Sequence, residues 1–148
     1  MIDTTPISEI LVHKGSTVWS IAPESNVFDA IQMMAEKNIG AVAVIEHHRL
    51  IGLLTERDYT RKVVLRGKAS KTTHVREILN PHLISVTPEH TVQECLQLMT
   101  EHRIRHLPVL KQGQLAGIIS IGDLVNWIIS AQRSQIEQLQ TYISGVPA

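Results

Sequence analysis

The chain contains the stretch Trp19–Val64, WSIAPESNVFDAIQMMAEKNIGAVAVIEHHRLIGLLTERDYTRKVV, and repeats it with substitutions at Ile84–Ile129, ISVTPEHTVQECLQLMTEHRIRHLPVLKQGQLAGIISIGDLVNWII. The second copy follows at a constant offset of 65 residues without a gap, and 12 of the 46 aligned positions are identical. Chance gives about three identities at average composition. Such a repeat indicates one supersecondary unit used twice, with each copy burying the apolar face of the other. Any site formed by these units should therefore come in pseudo-symmetric pairs.

Length and composition exclude several classes of protein. The 148 residues suit one ordinary domain or two half-size units that share a core. Lys plus Arg and Asp plus Glu both number 14, so no net field favours nucleic acid or an anionic membrane. Cys95 is the only cysteine, which excludes an internal disulfide and fits a reducing compartment. The N-terminus lacks a signal pattern and no uncharged apolar run approaches 18 residues. We expect a soluble, cytoplasmic protein with an aliphatic core.

Hydrophobic spacing predicts the order strand, helix, strand, strand, helix in both repeats. In the first repeat, apolar residues between Val27 and Met34 fall at i, i+3, i+4 and i+7, as on one face of a helix. Ser25 or Asn26 is the expected N-cap. Strands 41–45 and 50–54 follow, and Thr55 to Leu65 is predicted to be helical. The second repeat matches these elements one by one.

The repeats and their flanks divide the chain into four segments. Residues 7–66 form repeat 1 with a short leader turn, and 67–74 form a polar, basic linker. Residues 75–130 form repeat 2, also with a leader turn. Residues 131–148 continue the apolar spacing as a C-terminal helical extension ending near Gly145. This helix has no counterpart in the first repeat, so it is either a lid on the core or an oligomer contact. Its Leu and Ile positions need cover, which favours a homodimer.

Two segments of matching pattern stand where a strand passes into a helix. They are Gly52-Leu53-Leu54-Thr55-Glu56-Arg57-Asp58 and Gly117-Ile118-Ile119-Ser120-Ile121-Gly122-Asp123. In one interpretation Thr55 and Ser120 are N-caps, and each Asp completes a capping box. In the other, the helix N-terminus attracts phosphate and the Asp accepts the hydroxyls of a ribose. The local pattern alone favours capping.

The chain resembles the cystathionine-beta-synthase (CBS) domain family, in the tandem arrangement called a Bateman module. The resemblance covers about residues 7 to 130. It rests on the paired Gly-x-x-Thr/Ser-x-x-Asp segments, on Pro23 and Pro88 after the first strands, and on Ile104–Val109. It implies an α+β fold in which two β-α-β-β-α repeats pack about a pseudo-two-fold axis, here with an extended C-terminal helix.

The resemblance also implies two clefts between the repeats that bind adenosine-containing ligands such as AMP, ATP or NAD(H). Asp58 and Asp123 would hold ribose hydroxyls, and Thr55 and Ser120 would touch ribose or phosphate. The adenine would lie against first-strand backbone and helix starts, at Ile21, Ala22, Ser25 and Ala30 in one repeat and at Val86, Thr87, Thr91 and Cys95 in the other.

The two clefts are not expected to be equal. Arg105 and His106 open the middle strand of the second repeat, where the family often places phosphate ligands, whereas Gly40 and Ala41 occupy the matching positions. Arg57 follows Thr55 in the first repeat. If Arg57 and Arg105 converge, one cleft binds phosphate far better than its twin. Lys62 and Arg66 are interpreted as a solvated helix face.

The sequence disfavours a metal site, a nucleophilic cysteine and a P-loop. The eight histidines lack ligand spacing and a second cysteine, so no metal site is expected. Cys95 lies on the apolar stripe of a helix and is interpreted as core rather than as a nucleophile. No nucleophile-plus-base arrangement and no P-loop are present, so we expect no enzyme and no catalytic cofactor.

The sequence therefore predicts a ligand-sensing module. It would bind an adenine nucleotide as an effector and signal through the geometry of its dimer or of a regulated partner protein. The alternative is a structural interaction module with empty clefts, in which the two aspartates are only helix caps.

Overall fold

A computed structural model describes residues 4–15, 17–80 and 82–145. The leader helix α1 spans Ser8–Lys14, and the first repeat follows as β1 (Ser20–Ile21), α2 (Val27–Lys37), β2 (Ala41–Glu46), β3 (Arg49–Thr55) and α3 (Glu56–Tyr59). A π-helical turn, Thr60–Val64, continues α3, and a 3-10 turn, Val75–Ile78, leads into the second repeat. The second repeat consists of α4 (Val92–His102), β4 (His106–Lys111), β5 (Gln114–Ser120) and α5 (Ile121–Ser144).

The first repeat builds a three-stranded sheet in the order β1-β2-β3. β1 lies parallel to β2, and β2 pairs antiparallel with β3 so that Ala41 lies opposite Thr55. In the second repeat β4 and β5 form a two-stranded sheet, and Val86 makes a single bridge where the first repeat has β1. The mixed α+β fold with a long C-terminal helix is confirmed.

The predicted helix ends are set by single local residues. The Asn26 side chain accepts a hydrogen bond from the Asp29 N–H at 2.9 Å and caps α2, as Asn and Ser do at helix starts. Gly145 adopts a left-handed conformation (φ 72°) and ends α5, as expected. The helix predicted over 55–65 is regular only to Tyr59. Beyond it the Leu65 N–H bonds the Thr60 carbonyl, five residues back, at 3.0 Å.

Both hairpins use two-residue turns with a left-handed backbone. His47 and His48 join β2 to β3 with φ angles of 50° and 64°, and Gln112 and Gly113 join β4 to β5 with 53° and 77°. Positive φ at both positions is the type I′ geometry that matches the twist of the strands. The second turn has glycine at its second position, whereas the first has His48 there.

Replacing His48 by glycine is therefore expected to stabilise the protein. The substitution removes the clash of a Cβ atom at positive φ and is worth roughly 0.5–1 kcal/mol. Thermal unfolding followed by circular dichroism should show a melting temperature a few degrees higher. The matched control is Gly113→Ala. It adds a Cβ atom at φ 77°, where no atom beyond the two chain neighbours lies within 4 Å, and it should lower the melting temperature. A lower melting temperature in His48→Gly would contradict this account of the turn.

Each leader segment pairs with the entrance of a helix far along the chain. The Thr5 carbonyl accepts the N–H of Val92 at 2.9 Å, at the start of α4, and the Thr73 carbonyl accepts the N–H of Val27 at 2.8 Å, at the start of α2. These bonds satisfy amides that a helix start leaves without a partner. The N-terminal leader thus supports the second repeat, and the leader before the second repeat supports the first.

The chain forms two compact units. One gathers β1–β3, α2, α3, the 3-10 turn and the hairpin tip 108–117, and the other gathers α1, α4, α5 and the base of the β4–β5 hairpin. The first unit is built around buried Val, Ile, Leu and Met residues, among them Val42, Val44 and Leu54. Ile7, Leu107 and Leu124 are fully buried in the second. The predicted aliphatic core is confirmed. Within the described ranges, no helix is long and apolar enough to cross a membrane.

Candidate functional site

The turn from β3 into α3 holds Asp58 in a complete capping box. Thr55 has an extended backbone (φ −114°, ψ 161°), and its hydroxyl accepts the Asp58 N–H at 3.1 Å. The Asp58 Oδ2 atom in turn accepts the Thr55 N–H at 3.0 Å and the Thr55 hydroxyl at 2.9 Å. These bonds fix the carboxylate against the first helical turn, with Asp58 half-buried. The capping interpretation is confirmed here.

The turn from β5 into α5 repeats this geometry around Asp123. The Ser120 N–H donates to Asp123 Oδ2 at 2.8 Å, and the Asp123 N–H donates to the Ser120 hydroxyl at 3.1 Å. The Ser120 backbone is extended as well (φ −99°, ψ 161°). Each repeat therefore fixes one carboxylate at the first turn of a helix.

A backbone hydrogen bond ties the start of the middle strand to each of these turns. The Glu56 N–H donates to the Gly40 carbonyl at 3.1 Å, and the Ile121 N–H donates to the Arg105 carbonyl at 2.9 Å. This places Arg105, and His106 after it, beside the start of α5. Arg105 is exposed and His106 is half-buried. The backbone of Arg105 thus lies at the turn that holds Ser120 and Asp123, whereas the uncharged Gly40 lies at the turn that holds Thr55.

In the first repeat the basic group predicted for phosphate belongs to the helix itself. Arg57 lies in the first turn of α3, between Thr55 and Asp58, and its side chain is exposed. Thr55, Arg57 and Asp58 are therefore neighbours in one compact unit. Arg105, His106, Ser120 and Asp123 are gathered in the other.

A lysine lies beside each of the two aspartates, and sequence reasoning missed both. Lys62 Nζ is 3.6 Å from Asp58 Oδ1 and donates to the Ile78 carbonyl at 3.0 Å. Lys14 Nζ donates to Asp123 Oδ2 at 2.6 Å and to the Ile118 carbonyl at 2.7 Å. The interpretation of Lys62 as a solvated helix face is wrong, because its ammonium group links the helix to the leader. The i, i+4 spacing of Asp58 and Lys62 on one helix could have predicted their ion pair. No local pattern could have predicted the pairing of Lys14 with Asp123.

The residues predicted to meet the adenine differ in exposure. In both repeats two are buried in the core and two reach the surface: Ile21, Ala30, Val86 and Cys95 are buried, Ala22 and Thr87 are exposed, and Ser25 and Thr91 are half-buried. Thr91 caps α4 by accepting the Glu94 N–H at 3.1 Å. The Ser25 carbonyl accepts the Val75 N–H at 2.9 Å. Both half-buried residues thus lie where a leader segment meets a helix start.

Cys95 is a core residue with an unreactive thiol. Its side chain is fully buried in α4. Burial, with a smaller effect from the nearby Glu94 charge, raises the pKa of the Cys95 thiol to about 11. The thiol is therefore protonated at neutral pH, and a protonated thiol is a poor nucleophile. Cys95 is core, as the apolar stripe predicts.

The chemistry available at the two turns is that of hydroxyl and anion recognition. A carboxylate accepts several hydrogen bonds, and a helix start carries partial positive charge. In the part of the chain that the structure describes, no group of three or more His, Cys, Asp or Glu side chains is placed to hold a metal ion.

Comparison with known proteins places the chain in a family. The sequence matches the CBS domain family over residues 5–65 and 75–130. The CBS domain-containing protein CBSX3 of Arabidopsis thaliana, described as mitochondrial, is 39% identical over 153 residues, covering 97% of this chain and 74% of that protein.

Solved structures agree with the sequence match. A protein with CBS domains from Burkholderia ambifaria superposes with a TM-score of 0.83 at 47% identity, covering 86% of this chain and 96% of that one. A hexameric CBS-CP12 protein from bloom-forming cyanobacteria superposes with a TM-score of 0.74 at 32% identity, covering 82% and 67%. Because both repeats match in sequence and structure, the chain belongs to the CBS domain family and carries two CBS domains in tandem.

Proposed function

We propose that this protein is a regulatory module that binds an adenosine-containing ligand (AMP, ATP or NAD(H)) at Asp58 and Asp123, and that it is not an enzyme. Regulatory and interaction roles are common among proteins with paired CBS domains. The observation that carries the proposal is the matched pair of fixed, partly exposed carboxylates, whose side chains keep 27% and 23% of their surface accessible.

Capping and ribose binding are compatible at these positions. The hydrogen bonds from Thr55 to Asp58, and from Ser120 to Asp123, all end on the Oδ2 atom. A capped carboxylate still has a second oxygen with which to accept a ribose hydroxyl. The cap then serves as preorganisation, because the acceptor is held in place before the ligand arrives.

The phosphate of the ligand would be bound more tightly in the second repeat. Arg105 and His106 lie beside the start of α5, where the helix dipole also favours negative charge. In the first repeat Arg57 and Lys62 are the basic residues near Asp58, and Gly40 and Ala41 supply no charge. The exposed Ala22 and Thr87 and the half-buried Ser25 and Thr91 would meet the adenine, while the buried members of that set would support it from the core.

The second candidate is a structural interaction module without a nucleotide. One observation favours it: Lys14 and Lys62 lie against the two carboxylates, as they would in a purely structural ion pair. The two candidates differ in a simple respect, since only the regulatory module is stabilised by adenosine ligands.

Thermal unfolding in the presence of AMP, ADP, ATP, NAD and NADH tests the proposal. A ligand at 100 times its dissociation constant stabilises the folded state by about 2.7 kcal/mol, which raises the melting temperature by about 5–10 °C. The matched control is 2′,3′-dideoxyadenosine monophosphate, which lacks the ribose hydroxyls and should give a much smaller shift. If none of the five ligands raises the melting temperature, the structural module is the better account.

A homodimer formed through α5 would transmit the ligand state. Ile129, Ile136, Leu139 and Ile143 follow each other at spacings of seven, three and four residues, and each is at least 42% exposed. This spacing is that of a coiled-coil seam. Asp123, Arg133 and Glu137 are the only charged residues of α5, so few like charges oppose the approach of a second copy. Any signal would arise because the ligand binds one dimer geometry more tightly than another.

A further inference from the structure

The C-terminal end of α1 is attached to the candidate site in the second repeat by one side chain. Lys14 is the last residue of α1, and its ammonium group donates to Asp123 Oδ2 at 2.6 Å and to the Ile118 carbonyl at 2.7 Å. The same helix contacts α5 through His13 and Trp127, whose ring centroids are 5.6 Å apart. Lys14 thus joins the N-terminal leader to the carboxylate proposed to receive the ribose.

The ammonium group lies at one of the two carboxylate oxygens that a ribose hydroxyl could approach. Asp123 Oδ2 already accepts the Ser120 N–H at 2.8 Å, so the cap and Lys14 together take two hydrogen bonds at one oxygen atom. A ribose that places one hydroxyl on each carboxylate oxygen, as a bidentate ligand does, would meet the Lys14 ammonium group at Oδ2. The ligand can reach Oδ2 only if Lys14 withdraws.

We infer that Lys14 is an internal competitor for Asp123, so that ligand binding in the second repeat detaches the last turn of α1. This inference rests on the proposed function. The ion pair is partly exposed, with 38% and 23% of the two side chains accessible, and such pairs contribute little to stability. A ligand can therefore displace Lys14, and the cost appears as a modest loss of affinity.

In the first repeat the lysine beside the aspartate belongs to the helix of the site and not to a leader helix. Lys62 is 3.6 Å from Asp58, beyond hydrogen-bond distance, and it approaches the Oδ1 atom rather than the capped Oδ2. It belongs to the π-helical turn after α3, so a displaced Lys62 stays on the helix that carries the site. Occupancy of the second site alone would free the end of a leader helix. The N-terminal segment would therefore respond to ligand occupancy of this site.

Titration of AMP and of NAD by calorimetry into Lys14→Met tests the competition, in an Asp58→Asn background that silences the first site. We expect affinity for the ligand to rise about two- to fivefold, the range that loss of an exposed ion pair allows. Lys14→Arg keeps the ion pair and should bind as the background does. Lys111→Met, which removes an exposed lysine at the end of β4, controls for net charge and should change nothing.

Hydrogen exchange of the α1 amides provides a second measurement on the wild-type protein. Ligand binding should speed the exchange of the Gly15 N–H, which bonds the Leu11 carbonyl at 3.0 Å in the last turn. Equal or weaker binding by Lys14→Met, with unchanged exchange in α1, would overturn the inference and leave the proposed function standing. If neither AMP nor NAD binds any variant or the wild type, both fall together.

Discussion

Replacing Asp58 and Asp123 together by alanine is expected to abolish stabilisation of the protein by adenosine ligands. Each carboxylate would lose two hydrogen bonds from ribose hydroxyls to a charged acceptor, and such bonds contribute about 1.5–3 kcal/mol each. The dissociation constant at each site should therefore rise by about 100-fold or more. Calorimetric titration of the single and double variants would measure this rise and assign it to a site.

The two substitutions also remove capping boxes, so a matched control is needed. Glu94→Ala removes the equivalent carboxylate from the capping box of α4, where Glu94 accepts the Thr91 N–H at 3.0 Å. Loss of such a cap costs about 1 kcal/mol, but the Glu94 variant keeps both aspartates and should lose far less affinity for the ligand than the aspartate variants. Asp58→Asn and Asp123→Asn retain an acceptor oxygen for the cap and should still lose affinity. Unchanged binding in the double alanine variant would reduce both aspartates to caps.

Replacing Leu139 by glutamate on α5 is expected to convert the proposed dimer to a monomer. In the dimer two copies of Leu139 would be buried, each worth about 1.5–3 kcal/mol, and the substitution places two carboxylates in the seam instead. The dimer dissociation constant should rise at least about 100-fold. Light scattering after size-exclusion chromatography would show the mass of one 16.5 kDa chain in place of two.

Gln138→Glu is the control for this change. It adds the same charge one residue away, on the side of the helix opposite the seam, and should leave the dimer intact. If the wild-type chain is a monomer at high concentration, or if Leu139→Glu remains a dimer, α5 is not the interface.

Features that depend on neighbouring residues were predictable from the sequence. The capping boxes need only Thr55 or Ser120 and an Asp three residues later, so the spacing determines the geometry. The end of α5 at Gly145 follows from one residue able to adopt positive φ. The offset of 65 residues predicted two equivalent turns, and the structure contains both of them.

Features that depend on distant pairing were not predictable in the same way. Lys14 lies 109 residues from Asp123 along the chain, and nothing in the local pattern joins them. The pairing of each leader segment with a distant helix start depends on backbone hydrogen bonds, such as that from the Val92 N–H to the Thr5 carbonyl. Backbone groups are the same in every residue, so the sequence does not indicate these bonds. The π-helical turn after Tyr59 also departs from the regular helix that the apolar spacing indicated.

The two interpretations of the aspartates differed because the sequence shows a residue but not its separate oxygen atoms. In the structure, the cap uses Oδ2 of Asp58 and leaves Oδ1 facing Lys62 at 3.6 Å. A single residue can therefore serve both as a cap and as a ligand acceptor. The spacing of Thr55 and Asp58 could not show this division.

Native mass spectrometry of the wild-type protein with AMP and with NAD tests the central claim most directly, since it counts ligands and chains in one spectrum. We predict at least one adenosine ligand per chain, and loss of that ligand in the Asp58→Ala, Asp123→Ala double variant but not in Glu94→Ala. A wild-type protein that stays free of both ligands at millimolar concentration, or that keeps them after the double substitution, would contradict the account.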